Sequence, residues 1–291
     1  MIMSRRKRGW LLDAGCWLLV SRRPSRAPST MSLPIKLIST DFDGTLFAEF
    51  ESPPIPESLQ ELIGDLQSRG AKWVINTGRD MSSLMEALGR SQIPIEPDYL
   101  VLVEREIYEH TDSQYIGLEE WNAACARSHA ELFARIRADV PRIVSWISAR
   151  FHARLYEDAY SPLCLIAGNK GDADVIHEYL LEYCRGIPRL SLVRNDVYAR
   201  FSHDAFNKGT ALAELTRRLG LSHEEVFAVG DQLNDLPMLS RKYARSLAAP
   251  SNAVEPVKQV VRGQDGHVSE LSHGDGVANG LGVCLSRASQ G

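Results

Sequence analysis

Cysteine is scarce and scattered in this chain. Cys16, Cys125, Cys164, Cys184 and Cys284 make an odd count of five, and no pair has the spacing of a zinc clip or a CxxC redox motif. Reduced thiols in a cytoplasmic protein are the plain reading. Positive charge is not in excess either. Lys and Arg number 33 against 37 Asp and Glu, a formal net charge of -4, which argues against nucleic acid or an anionic membrane surface as a bulk partner. The apolar run from Trp10 to Val20 is interrupted by Asp13 and is far too short to cross a bilayer, so no membrane partner is expected. The basic cluster Arg5 to Arg8 ahead of that run resembles a weak secretory signal, but Arg22-Arg23-Pro24 occupy the place of a cleavage site. Met31 is therefore expected to be the true start, with residues 1–30 a mis-assigned or disordered extension.

What is present is a soluble globular composition, 44% hydrophobic and 24% charged over 291 residues. That length suits one large or two ordinary domains. Residues 35–47 read as a buried strand (Ile35, Leu37, Ile38) ending in Asp41-Phe42-Asp43-Gly44, with the glycine permitting a sharp turn. A carboxylate fixed at a strand tip can attack a phosphorus atom. A second one, two residues on, can protonate the leaving oxygen and later deprotonate water. Pro56 then opens a helix with Leu59, Leu62, Ile63 and Leu66 on one face, closed by Gly70. A second strand ends in Thr77-Gly78-Arg79, and a third spans 98–103. Taken alone, Thr77 reads equally as a phosphoryl hydrogen bonder or as a helix N-cap. Arg79 reads either as a cation near the site or as a solvated side chain.

Further on, Phe206-Asn207-Lys208-Gly209 opens a helix through Leu219. An ammonium at position 208 would neutralise a nucleophilic carboxylate and an incoming phosphate together. Residues 225–239 form a strand with an acidic tip, Gly230-Asp231-Gln232-Leu233-Asn234-Asp235, and clustered carboxylates of this kind suit a hard cation such as Mg2+. Between Thr77 and Lys208 lie 130 residues, too many for one helix and one strand. The surplus reads as two similar halves: a long helix around Trp121 to Val140, strands at 143–147, 151–156 and 162–167, a helix at 172–184, and strands at 190–194 and 197–201. His267 and His273 read as solvated loop residues.

These four motifs, in this order, resemble those of the haloacid dehalogenase superfamily. The inserted segment is similar to the C2-type (IIB) cap of sucrose-phosphate phosphatases, Cof-type phosphatases, trehalose-phosphate phosphatases and eukaryotic phosphomannomutases. The resemblance implies an α/β protein: a Rossmann-like core with a parallel sheet (31–112 and 203–291) and an inserted α+β cap of αββαββ type (113–202). It implies a Mg2+-dependent phosphatase of sugar phosphates or similar small phosphorylated metabolites, with sugar phosphomutase and non-catalytic binding protein as alternatives. By the same resemblance Asp41 is the nucleophile, Asp43 the acid and base, and Lys208 the charge-neutralising catalytic group. Thr77, Gly78, Arg79 and Asn234 would meet the substrate. Asp41, Asp231, the carbonyl of Asp43 and, more remotely, Asp235 would serve the metal. Glu104-Arg105 depart from the small-residue pair usual in the sucrose-phosphatase type. Tyr108, Trp146, Arg150 and Arg154 are candidate sugar contacts.

Overall fold

A computed structural model describes residues 33–288. The expectations for residues 1–30 fall outside them. The chain opens with β1 (Leu37–Thr40), α1 (Glu57–Ser68), β2 (Lys72–Asn76), α2 (Met81–Ser91), β3 (Tyr99–Leu102), β4 (Glu106–Thr111) and β5 (Gln114–Gly117). It continues through α3 (Glu119–Ile136), α4 (Val140–Ser148), β6 (Ala153–Tyr156), β7 (Cys164–Ala167), α5 (Lys170–Arg185), β8 (Leu190–Asn195) and β9 (Tyr198–His203). It closes with α6 (Lys208–Arg218), β10 (Val226–Val229), β11 (Ser246–Ala249), α7 (Glu255–Gly263), β12 (His267–Val268) and α8 (His273–Ala288).

Eight strands form one sheet in the order β12-β11-β10-β1-β2-β3-β4-β5. Its inner strands are parallel; β1 and β10, Leu-Ile-Ser-Thr and Val-Phe-Ala-Val, are buried at every residue. Helices cover both faces of such a sheet, which is why these strands read as continuous runs and not as alternating ones. One apolar cluster includes Ile38, Trp73 and Phe227; the other, built on the alternate residues, includes Leu37, Val74 and Val226. Thr40 is level with Val229 of β10 and with Ile75 of β2. The segments that follow these three strands, starting at Asp41, Gly230 and Thr77, therefore leave the sheet along one edge. β1 is flanked by β2, its successor, and by the distant β10, so the site lies at a topological switch point.

Two features differ from the sequence expectation. Residues 143–147, read as a strand, are the heart of helix α4. Its buried residues Ile143 and Ile147 are four apart, and Ser145, which strand alternation would bury with them, is exposed. Pro141 lies in the first turn, where its missing N–H is harmless. The large sheet also runs past the boundary expected at 112/113. Asp112 and Ser113 both have positive φ (48° and 66°), the signature of a two-residue hairpin turn, and β5 pairs with β4 through Gly117.

A second, antiparallel sheet has the order β6-β7-β9-β8. Helices α3, α4 and α5 supply Leu132, Ile143 and Ile176 to the apolar cluster it shares with them. On the inner face of α3, His129 is buried. Its Nδ1–H donates to the Cys125 carbonyl (2.8 Å), while Nε2 accepts the His203 backbone N–H (3.1 Å). That arrangement requires a neutral ring. Burial, reinforced by Arg105, pushes its pKa down to about 3.

The folded value lies below that of the unfolded chain, so this stability is present above the ordinary histidine range and is lost as pH falls. Urea titration should show a loss on the order of 2 kcal/mol between pH 7 and pH 5 from this group. His129→Gln should make the fall shallower by a similar amount.

Candidate active site

Asp41 stands directly beyond β1 and is buried, as are Asp231 beyond β10 and Asp235 one turn later. One carboxylate oxygen from each lies within 4.8 Å of the others. Lys208 begins α6, capped by Asn207, whose side chain accepts from the backbone N–H groups of Gly209 and Thr210. The Asn76 amide donates to the Lys208 carbonyl (3.0 Å) and ties the helix start to β2. A cation at a helix N-terminus is disfavoured by the dipole. Here the fully buried ammonium lies 2.6 Å from both Asp41 Oδ1 and Asp235 Oδ1. Burial alone would lower the lysine's pKa, but Asp235 and Asp41 outweigh it and hold the pKa above the ordinary lysine value.

The acids are short of compensation. Burial and then Asp235 raise the pKa of Asp41 well above the usual carboxylate range. Burial and Asp235 likewise raise Asp231 to about 6. Three carboxylates facing one ammonium leave a buried deficit of positive charge, and this oxygen-only donor set fits a hard divalent cation. The donors differ in availability. Asp235 Oδ2 accepts the backbone N–H groups of Asp231 and Gln232 (both 2.8 Å) and its Oδ1 takes Lys208, so it braces the cluster. Asp231 accepts the Thr45 hydroxyl (2.8 Å) and retains its second oxygen beside Gly44. Asp41 and Asp231 are thus the carboxylates free to hold a metal.

Two glycines make the close approach possible. Gly44 has φ of 77°, and a Cβ there would lie 2.7 Å from Asp231 Oδ2. A Cβ on Gly230 would lie 2.5 Å from the Asp235 side chain.

The other expected site residues divide. Thr77 is buried at the tip of β2, and its hydroxyl accepts the Arg79 N–H (3.1 Å). The N-cap of α2 is Asp80, which accepts from Ser83 N–H, so that role does not fall to Thr77. Gly78 is exposed on the same turn, and its Cα faces the Glu104 carboxylate. Asn234 donates to Glu104 Oε1 (2.9 Å). Arg79 is not free for a ligand as expected: Nε and Nη2 grip the Asp43 carboxylate (2.8 and 2.5 Å), Nη1 reaches Ser83, and the guanidinium lies over Phe42 and Phe47. Asp43 therefore points to Arg79 and stands outside the acidic cluster. Trp146 stacks on Tyr179 (3.8 Å) with Arg150 above it, a packing arrangement within the second layer.

Sequence reasoning missed Arg200. It lies in β9 and is buried, donating to the Val103 carbonyl (2.6 Å) and to Glu104 Oε2 (3.2 Å). The only hint was a charged residue inside the apolar strand Tyr-Ala-Arg-Phe. Thr45, the Asp231 partner, was also passed over.

A cluster of acids around a buried lysine, at the switch point of a parallel sheet, suits an α/β enzyme that handles phosphoryl groups. The chain belongs to the haloacid dehalogenase-like hydrolases, whose family profile matches residues 38–102 and 147–281. It is similar to the 5-amino-6-(5-phospho-D-ribitylamino)uracil phosphatase of Bacillus subtilis, 27% identical over 262 residues, covering 85% of this chain and 94% of that protein. A putative phosphatase of the same organism is 22% identical over 256 residues, 79% of this chain and 92% of the relative. Among solved structures, the sucrose-phosphatase of Synechocystis superposes with a TM-score of 0.64 at 19% identity, over 88% of this chain and 98% of that one. With phosphatase relatives along most of its length, the chain is a phosphatase of this family.

Gly44→Ala should displace Asp231 and strain the turn. Urea unfolding is expected to show a loss of about 1–2 kcal/mol, and any metal-dependent activity should fall further than stability does.

Proposed function

We propose that the protein is a Mg2+-dependent phosphomonoester hydrolase that works through an aspartyl-phosphate on Asp41. Its substrate would be a sugar phosphate, a phosphorylated polyol or a similar small metabolite. The observation that carries this reading is the shared Lys208 ammonium, 2.6 Å from both Asp41 and Asp235. It orients a carboxylate oxygen while leaving the other free to attack. Asp41 and Asp231, with the Asp43 carbonyl, would hold the metal, which supplies charge neutralisation for the phosphoryl oxygens.

Asp41 forms a bond to phosphorus as the bond to the leaving oxygen breaks, and Asp43 passes its proton to that oxygen. Water then gives a proton to Asp43 and attacks phosphorus; the acyl-phosphate bond breaks and Asp41 is restored. For both steps Asp43 would have to leave Arg79, which holds it in this structure, and turn to the substrate. Thr77 and the backbone at Gly78 would meet phosphoryl oxygens. The second sheet with its helices would act as the cap, joined to the large sheet at Glu104 and Arg200. The polyol reading is supported by the phosphoribityl substrate in the name of the Bacillus relative and by the sucrose-phosphatase likeness.

The test is phosphate release from a panel of phosphomonoesters with Mg2+ and with EDTA. Asp41→Asn should reduce turnover by about a thousandfold or more, and Asp43→Asn by about a hundredfold or more. Near-full turnover in Asp41→Asn, or in EDTA, would refute the proposal.

A further inference from the structure

The turn after β1 is gripped from outside the acidic cluster. The Gly44 carbonyl accepts two side-chain donors, Asn252 Nδ2–H (2.7 Å) and His273 Nδ1–H (2.9 Å). A carbonyl oxygen only accepts, so the His273 ring carries a proton on Nδ1. Asn252 lies in the segment after β11, and His273 opens α8. The two are joined to each other, because Asn252 Oδ1 accepts the His273 backbone N–H (2.8 Å). His273 reads from the sequence as a solvated loop residue. Here it is half-buried, and its backbone is left-handed (φ 47°), a conformation uncommon for a residue other than glycine and held only where the surroundings impose it.

The same segments reach Asp231. The Val254 N–H donates to the Asp231 carbonyl (2.9 Å), and the Ser251 N–H to the Leu271 carbonyl (2.8 Å). Gly44 stands between two planar peptide units. The one before it carries the Asp43 carbonyl, and its N–H donates to the Phe47 carbonyl (3.0 Å). The one after it runs from the gripped Gly44 carbonyl to Thr45, whose hydroxyl donates to Asp231 Oδ1 (2.8 Å). Asp231 Oδ2 lies against the Gly44 Cα, where a Cβ would come within 2.7 Å. Both oxygens of Asp231 therefore meet the Gly44-Thr45 unit. Rotation of that unit would withdraw the Thr45 hydroxyl and change the space open to Oδ2, and the Asn252 and His273 donors oppose such a rotation.

We infer that Asn252 and His273 are positioning residues for the metal carboxylate Asp231, acting through the Gly44 carbonyl, an inference that rests on the metal reading above and adds to it the two side chains that hold its turn. They touch neither the metal nor the substrate. Groups that orient a ligand from behind govern metal affinity strongly, and their loss typically weakens it about 10–100-fold. Asn252 is exposed, so the bond it gives to Gly44 is not explained by a need to satisfy a buried amide.

The experiment is calorimetric titration of the full chain with Mg2+, with Asp231→Asn as the control that assigns the heat to this cluster. Asn252→Leu should weaken Mg2+ binding about fivefold or more, and Asn252→Leu with His273→Leu about tenfold or more. His273→Asn keeps a donor at the δ position and tolerates the left-handed backbone, so it should bind close to wild type where His273→Leu does not. Thermal melting in EDTA confirms that each variant is folded, and added Mg2+ should raise the midpoint of the Leu variants less than that of the wild type. If His273→Leu does not fold, Asn252→Leu at its exposed position decides alone. Mg2+ affinity of Asn252→Leu within about twofold of wild type overturns the inference. So does equal weakening by His273→Asn and His273→Leu. The two readings fail separately. A wild-type chain that binds no Mg2+ refutes the metal reading and the positioning role with it. Mg2+ binding that the Leu variants weaken, without phosphate release by the wild type, leaves the positioning role and refutes the hydrolase.

Discussion

The structure depends on one buried ammonium between two carboxylates. Lys208 is fully buried at the start of a helix, where the dipole opposes it, and it is kept there by Asp41 and Asp235. Taking three charges out of water costs several kcal/mol per ion, and the mutual attraction offsets this only with close geometry. That geometry is imposed from several directions. The Asn207 cap and the Asn76 amide fix the helix start, while two backbone N–H groups hold the second oxygen of Asp235. The glycines at 44 and 230 let the loops close to distances no other residue would permit. A further acid, Asp231, then lies in the same buried space, and burial, followed by the charge of Asp235, raises its pKa.

A second buried ion pair joins the two sheets. Glu104 occupies a left-handed backbone position (φ 67°) after Val103 (φ 45°), so the chain turns back after β3. The turn directs the Glu104 carboxylate to Arg200 of β9, to Asn234 and to the Gly78 turn at once. One side chain thus touches the loop after β2, the loop after β10 and the second sheet. Asn234 and Arg200 thus share one carboxylate, from opposite sides of the junction between the sheets.

Much of this was legible in the chain itself. The parallel strands are continuous apolar runs because both faces are covered, and each ends in the motif residue that its register then brings to the shared edge. The fold class and the family followed from that order. Pairings between distant side chains were not legible. Arg79 reads as a free cation until its guanidinium is seen on Asp43, and Arg200 meets Glu104 across 96 residues of sequence. Residues 143–147 were misread because a five-residue apolar run carries no period long enough to separate strand from helix. The hairpin at Asp112-Ser113 was missed because its residues are ordinary polar ones and only their positive φ reveals the turn.

On the proposed reaction, phosphorus passes through a covalent bond to Asp41. The most direct measurement is the stereochemical course of hydrolysis, using a phosphorothioate monoester made chiral at phosphorus by oxygen isotopes and hydrolysed in labelled water. Two successive in-line displacements, first by Asp41 and then by water, predict retention of configuration. Inversion would mean that water attacks phosphorus directly, and Asp41 would then be a ligand and not a nucleophile.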